Sequence, residues 1–201
     1  MSLTLSLVVE GQGDAEALPV LIRRIVERLH PGLGLKVATT IRIPKTKLLR
    51  PGEVERAIDL AARKARPSGG VMVVIDGDDS CAKHLGPELL IRAKNARPDF
   101  PVSVVLAVRE YESWFLAAAE SLRGKRGLSQ EIHPPTDPEA VGGAKEWLSQ
   151  RMSGSRVYSE TLDQPALSAE VDLDVARRAP SFDRLWREVE RLIAGRAAGH
   201  R

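Results

Sequence analysis

The sequence predicts an α/β protein with a central four-stranded, mainly parallel sheet flanked by helices and a helical C-terminal extension. Short apolar runs alternate with segments of helical spacing through residues 1–123, and two of these runs are apolar throughout. A strand buried on both faces gives such a run, and parallel strands need crossover helices between them. The alternation weakens after Leu122. We therefore assign residues 1–123 to the α/β core and residues 124–201 to an extension packed on it.

The first unit is a strand over residues 3–9 followed by a helix over residues 15–29. The apolar run stops at Glu10, and Asp14 stands where its side chain can accept hydrogen bonds from free amides at the helix start. The apolar residues of the helix form a single stripe, which consists of Leu18, Leu21, Ile22, Ile25, Val26 and Leu29. Such a stripe predicts a helix that faces the core.

Three more units follow the first. Residues 35–43 have the β-branched content of a strand, and Pro51 and Glu53 open a helix that Gly69 and Gly70 end. Residues 71–75 form the clearest strand, followed by a helix over 87–96. Residues 102–108 form a further apolar strand, and a helix is predicted over 112–122.

The extension is rich in helix breakers and contains two predicted helices. These helices cover residues 144–152 and 182–194, with Ser181 as the expected cap of the second. The apolar positions of the last helix, Phe182, Leu185, Trp186, Val189 and Ile193, predict that it packs against the core.

Composition excludes several classes of protein. The 201 residues are 43% hydrophobic, and no apolar run approaches the length of a membrane span. The N-terminal segment lacks the basic region of a secretory signal, so a cytoplasmic location is expected. Cys81 is the only cysteine, which excludes an intramolecular disulfide and a thiolate-rich metal site. Any metal must therefore be bound by oxygen or histidine ligands.

Acidic side chains follow three of the four predicted strands. They are Glu10 and Asp14 after the first strand, Asp76, Asp78 and Asp79 after the third, and Glu110 and Glu112 after the fourth. The carboxyl ends of parallel strands meet at one edge of the sheet, where ligands bind. Clustered carboxylates repel one another, and a hard divalent cation relieves that repulsion. The pattern predicts a Mg²⁺ or Mn²⁺ site at this edge.

Two motifs together resemble a known superfamily. One strand ends in Val-Val-Glu-Gly-x-x-Asp, which contains Glu10 and Asp14, and a later strand ends in Ile-Asp-Gly-Asp-Asp, which contains Asp76 and Asp78. This pair resembles the Toprim fold of topoisomerases, bacterial primases and the nuclease half of overcoming-lysogenization-defect proteins. The segment Glu-x-Glu-x-Trp-Phe that begins at Glu110 is similar to one in an uncharacterised bacterial Toprim-like family, a domain of unknown function.

The resemblance implies a Toprim-like Rossmannoid core and metal-dependent cleavage of phosphodiester bonds. Glu10 would act as general acid or base or join the metal shell, to which Asp14 would also belong, while Asp76 and Asp78 would coordinate Mg²⁺. Relatives imply a nucleic-acid substrate, with DNA favoured over RNA, and a partner ATPase of the ABC or SMC type. The chain lacks the additional domains that strand passage and priming require.

Some roles remain open on the sequence alone. Arg109 or Lys83 lies close enough in sequence to the acidic edge to clamp a phosphate oxygen. Glu112 either completes the metal shell or begins the next helix, where an acid favours the helix dipole.

Two other functions compete with the nuclease. The first is a noncatalytic regulatory module that binds a nucleotide or a partner through the same edge. The second is a phosphatase or nucleotide-sugar transferase, since both also place Asp-x-Asp at a strand end. The phosphatase superfamily carries its nucleophilic aspartate after the first strand, where this chain has Glu10.

Overall fold

The computed structural model describes residues 2–77 and 82–198. Its centre is a sheet of four strands, all parallel, in the order β2-β1-β3-β4. The strands are β1 (Ser2–Val9), β2 (Gly34–Arg42), β3 (Gly70–Asp76) and β4 (Val102–Ala107). The predicted fold class is confirmed, since a four-stranded parallel sheet flanked by helices and ended by a C-terminal helix is consistent with a Rossmann-like fold.

Helices connect and follow these strands. The bounds are α1 (Gln12–Leu29), α2 (Lys45–Leu48), α3 (Glu53–Ala65), α4 (Ala82–Ala96), α5 (Ser113–Ala117), α6 (Ala144–Ser149), α7 (Glu160–Glu170), α8 (Leu173–Ala176) and α9 (Pro180–Ala198). Two short 3-10 turns, Ala119–Leu122 and Lys125–Gly127, follow α5. Across the described residues no helix is both long enough and apolar enough to cross a bilayer.

The sheet is buried on both faces because successive side chains of a strand point to opposite sides. In β3, Met72 and Val74 join the core that contains α1 and α9, while Val73 and Ile75 join the core that contains α3 and α4. This arrangement explains why the strand reads as a continuous apolar run. It also leaves the carboxyl ends of the strands as a polar edge.

The C-terminal part of the chain packs on the α1 side of the sheet. Helix α9 contacts both α1 and β4, and α7 lies along α1. Phe182 and Leu185 of α9 and Leu167 of α7 are fully buried in the same hydrophobic cluster as Leu18 of α1. Helices formed by residues after 123 therefore bury one face of the core together with α1.

Three local predictions differ from the structure. The helix predicted over 112–122 is divided, because α5 ends at Ala117 and a 3-10 turn follows. The N-cap of α1 is Gly11 rather than Asp14. Asp14 does accept an amide hydrogen at the helix start, as predicted, but from the third helical position, where it receives the Gly11 amide hydrogen at 2.9 Å.

Ser181 is also not a cap, since it lies within α9. Its hydroxyl instead accepts a hydrogen bond from Trp114 Nε1 at 2.7 Å. Helix α7 was not predicted at all, because Asp163, Gln164 and Ser168 are polar residues on its buried face and leave no apolar stripe.

Candidate functional site

The strand order places two predicted site residues between β1 and β3, where the connections of the sheet run to opposite sides. From β1 the chain crosses to β2 on one side and then to β3 on the other, and Val9 pairs with Val74. Glu10 and Asp76 therefore follow adjacent strands at the same edge. Ligands of open α/β sheets bind at such switch points. We call this edge, with the acidic residues that follow β1, β3 and β4, the acidic rim.

Asp76 is held in a largely buried position by the loop after β4. Its Oδ1 accepts the amide hydrogen of Tyr111 at 2.9 Å. Burial raises the pKa of Asp76 well above its usual range, and the nearby carboxylates of Glu112 and Asp14 raise it further. The structure thus places Asp14, Asp76 and Glu112 close enough for their charges to influence one another.

Among the rim acids that the structure describes, Glu112 is the most deeply buried, with 0% of its surface exposed. Its Oε1 accepts a hydrogen bond from the Tyr158 hydroxyl at 2.9 Å, whereas Oε2 has no hydrogen-bond partner. Burial is the main cause that raises the pKa of Glu112 to about 7. Glu112 immediately precedes α5 but makes no side-chain cap on it, so its carboxylate is directed into the rim.

Lys145 of α6 supplies positive charge to the rim. Its Nζ lies 3.2 Å from Glu160 Oε1 and 3.6 Å from Glu112 Oε2. Glu110 Oε2 is 3.7 Å from the same nitrogen and Asp76 Oδ2 is 4.0 Å from it. These carboxylates raise the pKa of Lys145 against the opposing effect of its burial. One ammonium cannot neutralise four carboxylates by itself.

Glu110 fixes the position of α6 through the backbone. Its Oε1 accepts the Ala144 amide hydrogen at 3.3 Å, and its Oε2 accepts that of Lys145 at 3.4 Å. A carboxylate at this end of a helix satisfies amides that have no partner within the helix. The acid that follows β4 therefore directs Lys145 toward the rim.

Helix α7 supports the rim from the α1 side. Gln164 Nε2 donates a hydrogen bond to Asp14 Oδ1 at 2.7 Å. The two helices approach closely at Gly13, where an added Cβ would lie 2.0 Å from Gln164 Oε1 and 2.9 Å from the Glu160 carbonyl oxygen. Glycine at this position therefore allows Gln164 to reach Asp14.

The remaining predicted residues are less central or lie outside the described residues. Glu10 Oε1 accepts the Lys45 amide hydrogen at 3.3 Å, which directs the carboxylate toward α2. Arg109 adopts a left-handed backbone with φ of 59° and its guanidinium lies beside Gly142. Asp78, Asp79 and Cys81 lie outside the described residues, and Lys83 falls in the first turn of α4.

The donor chemistry of the rim fits a hard divalent cation. Asp76 and Glu112 offer carboxylate oxygens beside the same nitrogen, and Glu112 Oε2 is a buried oxygen without a hydrogen bond. Mg²⁺ needs only one or two protein carboxylates, with water and phosphate oxygens completing its shell. Within residues 2–77 and 82–198, no three acidic or histidine side chains are grouped closely enough to hold a metal ion together. The nitrogen that Asp76 and Glu112 both face is Nζ of Lys145, which lies between their carboxylates and supplies a positive charge there.

Sequence reasoning missed four residues that complete the rim, three of which contact its acids while Glu160 pairs with Lys145. They come from the extension and are Lys145, Tyr158, Glu160 and Gln164. No motif marks them, because each is a single polar residue in a segment with weak periodicity. The breaker pair Gly142-Gly143 before α6 was visible in the sequence, but it gave no indication that Lys145 would reach the rim.

The fold and the rim define a parallel α/β protein with a buried acidic site at its switch point. A family model described as Domain of unknown function (DUF4276) matches residues 9–190. Because the match covers most of the chain, the protein belongs to this family. The matched region contains Glu10, Asp76, Glu112 and Lys145, so the family extends through the helices that complete the rim. No curated protein and no solved structure matched the sequence.

Proposed function

We propose that the protein is a Mg²⁺- or Mn²⁺-dependent enzyme of the Toprim type that cleaves phosphodiester bonds in nucleic acid. The observation that carries the proposal is the pair Asp76 and Glu112, whose carboxylates face Nζ of Lys145 at the switch point. Asp76 ends β3 and is largely shielded from solvent, whereas Glu112 lies in the loop after β4 and is fully buried. Burying carboxylates whose charge is only partly compensated is costly for a fold. A cation-dependent function gives a reason to retain both.

Each rim residue has a defined part in this proposal. Asp76 and Glu112 would hold the cation, with Asp78 as the second acid of the Asp-x-Asp motif and with Asp14, oriented by Gln164, beside them. The cation supplies charge neutralisation at the phosphate and an acidified bound water. Glu10 serves as the proton acceptor or donor at the end of β1. Arg109, next to Glu110 on the loop after β4, binds a phosphate oxygen.

Exposed basic residues beside the rim support a polyanionic substrate. Arg42 at the end of β2 and Lys47 on α2 are exposed on the side where Glu10 contacts α2. Positive side chains that flank an acidic metal site bind the backbone phosphates and leave the acids for the cation. By the Toprim resemblance we propose DNA in preference to RNA, and an ATPase of the ABC or SMC type as a working partner.

Cleavage assays test the proposal directly. Supercoiled plasmid, single-stranded DNA and single-stranded RNA are incubated with the protein in Mg²⁺, Mn²⁺ or EDTA. We expect metal-dependent cutting that Asp76→Asn abolishes. Asp99→Asn is the matched control, because Asp99 is an exposed acid near the start of β4, at the opposite edge of the sheet. Absence of cutting by the unaltered protein, alone and with a partner ATPase, would contradict the proposal.

One observation favours a second candidate function. Lys145 already compensates part of the negative charge of the rim, as expected of a noncatalytic module that binds a nucleotide or a partner there. The nuclease would cleave the nucleic acid that it binds, whereas the binding module would bind its ligand and leave it intact. Binding of polymer or nucleotide that depends on Asp76, without cleavage of any of the three polymers, would favour the binding module.

A further inference from the structure

The ammonium of Lys145 occupies the position among the rim carboxylates that a cation would share. The acids around it come from three different parts of the chain, namely the end of β3, the loop after β4 and α7. It therefore faces two carboxylates that the sequence assigned to metal binding, Asp76 and Glu112, and two that it did not, Glu110 and Glu160.

The distances show that Lys145 is held mainly by charge at two of these acids. Its Nζ is 3.6 Å from Glu112 Oε2 and 4.0 Å from Asp76 Oδ2, which is longer than a hydrogen bond in both cases. Glu112 Oε2 is buried and makes no hydrogen bond. These two oxygens are thus available to a ligand that can approach them more closely than an ammonium does.

Lys145 is also able to leave. Its side chain is 31% exposed, and its flexible four-carbon stem extends from α6. The backbone at the start of α6 is held independently of this side chain, because Glu110 accepts the amide hydrogens of Ala144 and Lys145. Glu160, the nearest carboxylate to Nζ, is 47% exposed, so movement toward it carries the ammonium toward solvent.

We propose that Lys145 is a built-in counter-ion of the acidic rim, which pairs with Asp76 and Glu112 until a divalent cation displaces it. This inference rests on the proposed cation-dependent function and adds a positioning residue to it. The ammonium and the cation bind the same oxygens in alternation. A positive charge within 4.0 Å of Asp76 and Glu112 opposes the approach of a second positive charge. Cation affinity is therefore set by competition with Lys145.

Binding of Mn²⁺ alone, followed by the electron paramagnetic resonance signal of free Mn²⁺, measures this competition without any substrate. Lys145→Met removes the charge and keeps an unbranched stem. We expect its Kd for Mn²⁺ to fall by about tenfold or more, since removing a unit charge at this range is worth at least that factor. Lys64→Met on the exposed surface of α3 is the matched control and should leave the Kd unchanged.

Labelling of the unaltered protein gives a second readout that does not depend on how a variant folds. Lysine acetylation by a limiting reagent is followed residue by residue with mass spectrometry, with and without Mn²⁺. We expect the labelling rate of Lys145 to rise several-fold when Mn²⁺ is added, because the displaced amine leaves its carboxylates. Lys64 serves as the internal reference. An unchanged or slower rate at Lys145 would overturn the proposal.

The Asp76→Asn variant separates failure of this inference from failure of the proposed function. If Asp76→Asn loses Mn²⁺ binding while Lys145→Met binds no more tightly than the unaltered protein, the cation site stands and the counter-ion role is overturned. If Asp76→Asn binds Mn²⁺ as well as the unaltered protein, the cation lies elsewhere and the proposed function loses its site. If Lys145→Met binds Mn²⁺ more tightly, and adding Asp76→Asn to that variant abolishes the binding, both the counter-ion role and the proposed cation site are supported.

Discussion

Tyr158 donates its hydroxyl hydrogen to Oε1 of Glu112 over 2.9 Å, which joins the extension to the loop after β4 through a buried hydrogen bond. Both side chains are largely shielded from water. A charge-assisted hydrogen bond in such surroundings is strong, and an acceptor left without its donor is costly. The pairing therefore links the stability of the extension to the protonation state of the rim.

Tyr158→Phe tests this link. Removing the hydroxyl leaves Glu112 Oε1 without its donor, and we expect the free energy of unfolding to fall by about 1–3 kcal/mol. The loss should be larger at about pH 8 than at about pH 5, because the hydrogen bond favours the charged form of Glu112 and holds its pKa down. Urea denaturation at the two pH values measures both effects.

Tyr111→Phe is the matched control for that experiment, since the Tyr111 hydroxyl pairs with Ser168 Oγ at 2.9 Å and with no carboxylate. The decrease in the free energy of unfolding caused by Tyr111→Phe should be similar at both pH values. If the loss of stability in Tyr158→Phe is also the same at both pH values, the Tyr158 hydroxyl does not lower the pKa of Glu112.

Glu112 itself makes stability depend on pH. Its pKa is 4.5 in the reference state and about 7 in the fold, so between these values the folded state binds more protons than the unfolded state. Stability in EDTA should therefore fall as pH rises from about 4.5 to about 7, by about 3 kcal/mol from this group. Below about pH 4.5 Glu112 is protonated in both states and its ionisation does not reduce stability. Above about pH 7 it is ionised in both states and the full loss of stability is present.

Glu112→Gln provides the measurement for this pH dependence. The amide resembles the protonated acid, so we expect the variant to match the unaltered protein near pH 5 and to exceed its stability near pH 8. Urea denaturation in EDTA gives both comparisons. A variant that is less stable at about pH 8 would show that the Lys145–Glu112 contact outweighs the burial of the charge.

Gly13→Ala should separate α7 from α1. The added Cβ would lie 2.0 Å from Gln164 Oε1 and 2.9 Å from backbone oxygen of Glu160, so at least the side chain and one helix must shift. Overpacking of this kind costs about 1–3 kcal/mol. Gly195→Ala in α9 is the control, because nothing lies near its Cβ position and alanine favours a helix. Urea midpoints that move equally in the two variants would refute the close approach at Gly13.

Ser181→Ala should destabilise the contact between α9 and α5. The Ser181 hydroxyl accepts hydrogen bonds from Trp114 Nε1 at 2.7 Å and from the Val108 amide at 3.3 Å, and its loss leaves a buried indole donor without a partner. We expect a cost of about 1–3 kcal/mol in thermal or urea unfolding. The exposed Ser155→Ala should change stability by less than about 0.5 kcal/mol. Equal effects of the two variants would contradict the assigned pairing.

The sequence alone was sufficient for the parallel core and for the acids that follow its strands. Strands such as β3 are buried on both faces and appear as apolar runs, and α1 shows its buried face as an apolar stripe. Because parallel strands end at the same edge, the sequence alone predicts that Asp76, Glu112 and Asp14 lie near one another. These features depend on local periodicity and on one general rule of topology.

The order of the strands and the completion of the rim depended on tertiary structure. Strand order determines which carboxylates flank the switch point, and local pattern does not encode it. Helix α7 presents polar residues and an interior Pro165, so its helical nature and its contact with α1 are hidden from periodicity. Gln164 meets Asp14 across 150 residues only because Gly13 lets two helices approach.

Lys145 shows most clearly the difference between what the sequence determined and what the tertiary structure decided. In the sequence it is an ordinary lysine in a short predicted helix, whereas in the fold it lies among four carboxylates. The acids of the rim were determined by where the strands end, which is local. Their counter-ion was decided by the docking of α6 onto Glu110, a contact between distant segments that only the packed chain can form.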